Sequence, residues 1–337
     1  MNPKDILIIR FSSLGDIILA TSVLPAIKKK FPESSITFLT KLDYVEVLSG
    51  NTNLTAAIGL DREELKLKEL IRFAEGIRKK YDLIIDLHSN LRSFIISLYS
   101  DVKTLRYKKG SLRRRCMVGH AFTRGILPFL PEVYKKEDNV IENYFKALKT
   151  LGISYAGELP DIKTAGVKTS PVRTIGIHAG GKQNTKRWPA ERYAEVAEYF
   201  AGKGSKVILF GDEKDKDVNA KIIAGVKNKQ NVADLAGKTT LKEMISKIKE
   251  CSVLVTNDSA PFHIATAVKT PAVVIFCATT PKFGFADRAK TNRIMNVELP
   301  CKPCSLHGGK RCWLGHYRCA GKIGAGDVIE AMSEIVL

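Results

Sequence analysis

At 337 residues the chain has room for two domains, each with its own core. Apolar residues make up 45% and charged residues 26%, as in ordinary globular proteins, and no apolar run approaches the roughly 20 residues needed to span a bilayer. Lysine and arginine number 54 against 35 acids, a formal net charge of +19, which points to anionic partners: nucleic acid, an acidic membrane surface or phosphorylated substrates.

The first residues lead straight into a strand with no secretory apolar segment, so a cytoplasmic protein is expected. Short β-branched strands then alternate with amphipathic helical patterns, the signature of an α/β protein with parallel sheets. The first strand is expected over Ile6–Arg10. A Ser-Ser-Leu-Gly turn follows, then a helix over Asp16–Lys30 with a kink at Pro25. Further strands read at Ser35–Leu39, Leu83–Asp86 and Thr104–Tyr107, with helices at Glu64–Lys80, Leu91–Leu98 and Val140–Leu151. From Ala156 to Arg173 the composition shifts to Gly, Pro, Thr and Lys without periodicity, which reads as a linker. A second alternating series follows: strands at Thr174–His178, Lys206–Phe210, Val253–Thr256 and Ala272–Phe276, and helices at Ala190–Gly202, Leu241–Glu250, Pro261–Val268 and Asp327–Ile335. Two doubly wound domains facing each other across a cleft are the expected architecture, with ligands beyond the carboxyl ends of the strands.

Several polar residues stand at those ends. Ser13-x-x-Asp16 has capping-box spacing, and an acid in a first helical turn complements the helix dipole, so the plain reading of Asp16 is a cap. The stretch HAGGKQNTKRWP, residues 178–189, offers glycines for close backbone approach and Lys182, Lys186 and Arg187 for charge, a plausible phosphate cradle ahead of a helix. It is not a P-loop, and no G-x-G-x-x-G follows a strand, which disfavours a dinucleotide enzyme. In VTNDSAPFHIATA, Asp258 or Ser259 caps a helix whose free first-turn N–H groups suit a diphosphate, and His263 sits on its first turns. Asp215 follows another strand, where a carboxylate can accept from ribose hydroxyls; Asp215-Lys216-Asp217 also spells D-x-D, but within a helical pattern. Lys103, Arg106, Lys108, Lys109, Arg113, Arg114, Arg115 and Arg124 form a basic run with no acid between Asp101 and Glu132, either a solvated face or a surface for phosphates and anionic headgroups. Cys301, Cys304, Cys312 and Cys319 cluster with one zinc-knuckle spacing, and read equally as ligands of a structural metal or as packed free thiols.

IIRFSSLGDIILATSVLPAIKKKFP, HAGGKQNTKRWPAERYAEVA, DLAGKTTL and VTNDSAPFHIATA occur in order along the chain, and together they resemble glycosyltransferase family 9, the heptosyltransferases of the bacterial lipopolysaccharide inner core. The resemblance implies a GT-B fold: an acceptor-binding domain over residues 1–155, a linker over 156–173 and an ADP-sugar-binding domain over 174–337. It implies inverting transfer without a catalytic metal, from ADP-heptose to the Kdo/heptose core, by an enzyme peripheral on the cytoplasmic face of the inner membrane. Carried over by motif, Asp16 is the general base and Ser13 an acceptor contact. Lys186 meets the donor phosphates, with Thr185 beside it. Asp258, Ser259 and His263 take the diphosphate, and Asp215 the ribose. Arg113, Arg114 and Arg115 would meet the phosphorylated acceptor and the membrane. The cysteine cluster resembles one in a branch that modifies proteins and carries cysteine-bound iron, so a protein or other glycan acceptor, and zinc or iron at the four cysteines, stay open. The rival from another class is a basic nucleic-acid-binding protein, although no zinc-finger, RRM or basic-helix pattern accompanies the charge.

Overall fold

The computed structural model describes residues 2–123, 137–164, 172–286 and 289–336, with the side chains of 119–123 excepted. Arg124 and part of the expected linker lie outside the described residues. The chain divides into two compact units, one of residues 1–109 and 140–163, the other of 110–139 and 164–337. The excursion of 110–139 into the second unit has no sequence marker, because the basic run carries no composition break.

The first unit is built on a parallel sheet of β1 (Asp5–Ile9), β2 (Ser35–Lys41), β3 (Ala56–Leu60), β4 (Leu83–Asp86) and β5 (Thr104–Arg106), in the order β3-β2-β1-β4-β5. Helices cover parallel sheets on both faces, so the central strands are apolar throughout: Ile6 to Ile9 and Leu83 to Ile85 are fully buried. Strand order reverses at β1, whose last residue Ile9 pairs with Leu39 on one side and Asp86 on the other. Such a switch point leaves a crevice at the carboxyl edge. The helices are α1 (Leu14–Ala20), α2 (Val23–Lys30), α3 (Leu67–Gly76), α4 (Leu91–Ser100) and, after α5 (Ser111–Thr123) of the second unit, α6 (Val140–Leu148).

The expected single helix over Asp16–Lys30 is two helices, and the break is not at Pro25. Thr21 and Ser22 turn their hydroxyls back onto the carbonyls of Ile18 and Leu19, at 2.6 and 2.7 Å, and end α1 there. Pro25 is then the third residue of α2, where its missing N–H costs no helical bond.

The second unit carries a six-stranded parallel sheet, order β11-β10-β9-β6-β7-β8. Its strands are β6 (Thr174–His178), β7 (Lys206–Leu209), β8 (Val232–Asp234), β9 (Val253–Asn257), β10 (Ala272–Phe276) and β11 (Arg293–Asn296). Its helices are α7 (Ala190–Gly202), α8 (Lys216–Ala224), α9 (Leu241–Glu250), α10 (Ala260–Ala267), α11 (Arg318–Gly321) and α12 (Ala325–Val336), together with α5. The loops after β6 and β9 leave adjacent strands, His178 pairing with Thr256. The strands that the sequence pattern does not announce, β3, β8 and β11, all lie at sheet edges and are largely part-buried; β8 and β11 mix polar with apolar residues, and β3 is Ala-Ala-Ile-Gly-Leu, poor in β-branched residues. Both units are of the doubly wound kind expected.

Candidate active site

In the first unit the carboxyl edge gathers an acid and its counter-ion. Asp16, the third residue of α1, accepts from the Ser13 amide at 3.0 Å and the Ser13 hydroxyl at 2.7 Å through Oδ2. Its Oδ1 lies 2.6 Å from a terminal nitrogen of Arg10. Arg10 directly follows β1; it also donates to the Leu87 carbonyl and lies 5.9 Å from the centre of the Tyr144 ring. Burial pushes the Asp16 carboxyl up, but Arg10 and the two Ser13 bonds outweigh it and hold it below the usual carboxylate range. Asp16 is therefore both a cap and an ionised carboxylate at a crevice edge. Arg10 is the residue sequence reasoning missed. The signal was a lone charge closing an apolar strand.

Beside it, after β4, His88 packs edge-on against Phe11 with ring centroids 5.3 Å apart. Burial, then Arg10 and Lys109, bring its pKa down to about 3, so the ring is neutral. Asp86, fully buried, accepts from the amides of His88 and Ser89, the Ser93 hydroxyl and Arg106 Nε, at 2.7–3.0 Å. These bonds fix the turn into α4.

In the second unit the loop after β6 is held by Asn257, the last residue of β9. Its side chain donates to the carbonyls of Ala179 and Gly180, at 2.8 and 3.0 Å, and accepts from the Trp188 amide and the Tyr193 hydroxyl, at 2.9 and 3.0 Å. That staple presents Lys186, whose Nζ lies 2.7 Å from Asp258 Oδ2; the Thr279 hydroxyl donates to the same oxygen at 2.7 Å. Burial pushes the Asp258 carboxyl up and Lys186 more than reverses this, so it is ionised. Ser259 is the N-cap of α10 and turns its hydroxyl to the Asn257 carbonyl, while Pro261 occupies the first turn. His263 is buried one turn further on. Lys186, Asp258 and Ser259 thus meet at one helix start, where oriented amides and an ammonium suit a phosphate.

Two other expected donor contacts are spoken for in the fold. Thr185 is buried, and its hydroxyl accepts from the Gly309 amide at 2.7 Å. This ties the loop of Cys301–Cys312 to Lys186, and Gly308 (φ +81°) lies where a Cβ would come within 2.6 Å of Lys186 Cγ. Asp215 is buried, accepting from the Asp212 amide at 3.2 Å, with Arg187 and His178 at 3.8 and 3.9 Å. Gly180 is glycine because a Cβ there would strike this carboxylate, at 2.2 Å. Burial holds the pKa of His178 below its ordinary value against the pull of Asp215, so that ring is neutral.

The basic run is less uniform than its sequence suggests. Arg115 is exposed, Arg113 is half-buried, and Arg114 is bound to Asp138 at 3.3 Å and stacked on Phe285 at 4.8 Å. Of the two readings left open for Cys301, Cys304, Cys312 and Cys319, a structural metal finds no cage: among the described residues no three His, Cys, Asp or Glu side chains converge to hold an ion. Cys301 Sγ lies 3.8 Å from His316 Nε2, but Cys304 faces the Ala278 carbonyl at 3.7 Å, and burial with its neighbouring thiols pushes it up to about 11. These are free thiols.

Residues 70–312 match the model of glycosyltransferase family 9 (heptosyltransferase). The chain belongs to glycosyltransferase family 9. The matched span contains Lys186, Asp215, Asp258 and His263, while Asp16 precedes it. Among curated relatives of this family 9 transferase is the lipooligosaccharide heptosyltransferase 2 of Haemophilus influenzae, 28% identical over 313 residues, covering 88% of this chain and 90% of the relative. The solved family 9 glycosyltransferase of Veillonella parvula superposes with a TM-score of 0.79 at 23% identity, covering 99% of this chain and 97% of that one. The ADP-heptose lps heptosyltransferase II of E. coli gives 0.74 at 21%, with 98% of both chains covered. The fold is GT-B, as the resemblance implied.

Proposed function

We propose that this family 9 enzyme transfers heptose from ADP-heptose to the inner core of lipopolysaccharide, with inversion at the sugar carbon. The observation that carries the reading is the Lys186–Asp258 pair at the start of α10, a ready anion site on the second unit. A departing ADP gathers negative charge, and Lys186 with the helix-start amides supplies the compensating field. An acceptor hydroxyl has a pKa far above neutrality, so it must lose its proton as the sugar carbon is attacked. Asp16, ionised and on the crevice edge of the first unit, takes that proton. The Arg10 pair lowers its basicity, and so makes it a base that is always deprotonated rather than a strong one. His263 and Asp258 orient the clamp, and Asp215 holds the loop of His178–Arg187 in shape around it. The charge compensation here is assigned to protein groups. A nucleotide-sugar donor and a lipid-linked acceptor suit an enzyme peripheral on the cytoplasmic face of the inner membrane. Among the described residues no helix is long and apolar enough to cross a membrane.

The test is incubation of the purified protein with ADP-heptose and either Kdo2-lipid A or heptosyl-lipid A, with products identified by mass. Addition of one heptose to either acceptor is expected, and transfer to neither would overturn the assignment. Asp16→Asn should lower kcat by about 10²–10⁴-fold while ADP still raises the melting temperature. Lys186→Ala should weaken that stabilisation by ADP.

A further inference from the structure

Helix α4 turns an apolar stripe outward. Leu91, Phe94 and Leu98, at i, i+3 and i+7, are 73%, 46% and 61% exposed. The inward residues Ser93, Ile95, Ile96 and Ser100 are buried, so the helix is packed on one side and bare on the other. It is also rigid: Asn90 caps it, and Arg106 binds Asp86 and the Ser97 hydroxyl while stacking on the Phe94 ring at 5.0 Å. A bare apolar face on a fixed helix calls for an occupant.

Position and charge say which. α4 starts at the carboxyl end of β4, beside the end of β1 and hence on the edge that carries Asp16. On that edge stand the exposed cations Arg92, Lys108 and Lys109. Among the acids there, Asp16 and Asp86 are paired with Arg10 and Arg106 and Glu63 with Lys66, while Asp61 and Glu64 accept from amides of the turn after β3. Asp101 caps the far end of the helix. An apolar stripe with exposed cations on the carboxyl edge beside it matches an anionic bilayer, where the stripe enters the headgroup boundary and the cations meet lipid phosphates. A second copy docked by two-fold symmetry would set like charges against like. Nucleic acid offers nothing to exposed leucines.

We propose that the Leu91–Phe94–Leu98 stripe, with Arg92, Lys108 and Lys109, docks the first unit on an anionic phospholipid bilayer and so brings Asp16 to a lipid-anchored acceptor. This rests on the lipid-linked acceptor proposed above, and replaces Arg113–Arg115 as the principal membrane contact. The test compares wild type, the triple variant Leu91→Ser/Phe94→Ser/Leu98→Ser and the probe Phe94→Trp on phosphatidylglycerol-containing and phosphatidylcholine-only vesicles. Expected are co-sedimentation of wild type with the anionic vesicles, a loss of at least about tenfold in the triple variant, and quenching of the new tryptophan by brominated lipid chains. The triple variant should keep its turnover on a delipidated, water-soluble core acceptor, which shows that it folds, and lose turnover on the vesicle-borne one. Wild-type sedimentation that the triple variant shares, with Phe94→Trp unquenched, would overturn the docking face and leave a membrane enzyme that binds elsewhere. Wild type that ignores both vesicles would overturn the membrane reading beneath it, even if heptose transfer stands. Self-association in sedimentation velocity that the triple variant abolishes, without quenching, would give the face to a second copy and overturn the proposal.

Discussion

In the proposed mechanism one side chain, Asp16, serves the fold and the chemistry together. Its Ser13 bonds satisfy the start of α1, and its Arg10 pair keeps it ionised. An ionised base gives no acid limb in the neutral range, so kcat/KM should stay flat in this group's protonation down to acid pH. Arg10→Met leaves the buried carboxyl without its cation, and the acid limb of kcat/KM should move toward neutrality; a profile that stays in place would sink the role assigned to Arg10. His88 carries the opposite signature. Its folded pKa of about 3 lies below the unfolded value of about 6.5. Between those values the unfolded chain binds a proton that the folded unit refuses, so the stability is whole above pH 6.5 and declines as pH falls. His88→Gln should flatten that decline in urea denaturation across the same window.

At the scale of elements, function hangs on staples between loops and strand ends. Asn257 is buried, and its one amide satisfies two carbonyls, an amide N–H and a hydroxyl across the gap between β9 and the loop after β6. Asn257→Ala leaves those groups unpaired, and should cost roughly 2–4 kcal/mol in denaturant unfolding of the second unit, with weaker ADP binding. The sequence marks this asparagine only as the end of a strand, because all of its partners are distant in the chain. The same holds for α1 and α2: periodicity runs unbroken through Thr21 and Ser22, whose break is a hydroxyl-to-carbonyl bond. Edge strands β8 and β11 were illegible for a different reason, since a half-exposed strand needs no apolar run, and β3 because its Ala and Gly residues are weak strand formers.

For the molecule as a whole, the net charge of +19 makes binding to any polyanion salt-dependent. Retention on heparin should therefore fall steeply as salt rises, whereas stabilisation by ADP, which rests on Lys186 and a helix start in a partly buried setting, should persist. If both vanished together at moderate salt, the donor site would be no more than surface charge.

The sequence by itself determined the fold class, the central strands of both parallel sheets, the family, and the positions of Asp16, Lys186, Asp258 and His263, because buried strands must be apolar and the motifs at their ends are local. Tertiary structure decided what those residues touch and what holds their loops: Arg10 on Asp16, Thr279 and Lys186 on Asp258, Asn257 bonded to both ends of the loop that carries Lys186, and Asp215 and Thr185 turned inward. It also decided that four clustered cysteines do not converge and that Arg114 is occupied by Asp138. Spacing along a chain sets which face a residue takes, but partners come from strand order and loop closure, which no local pattern records.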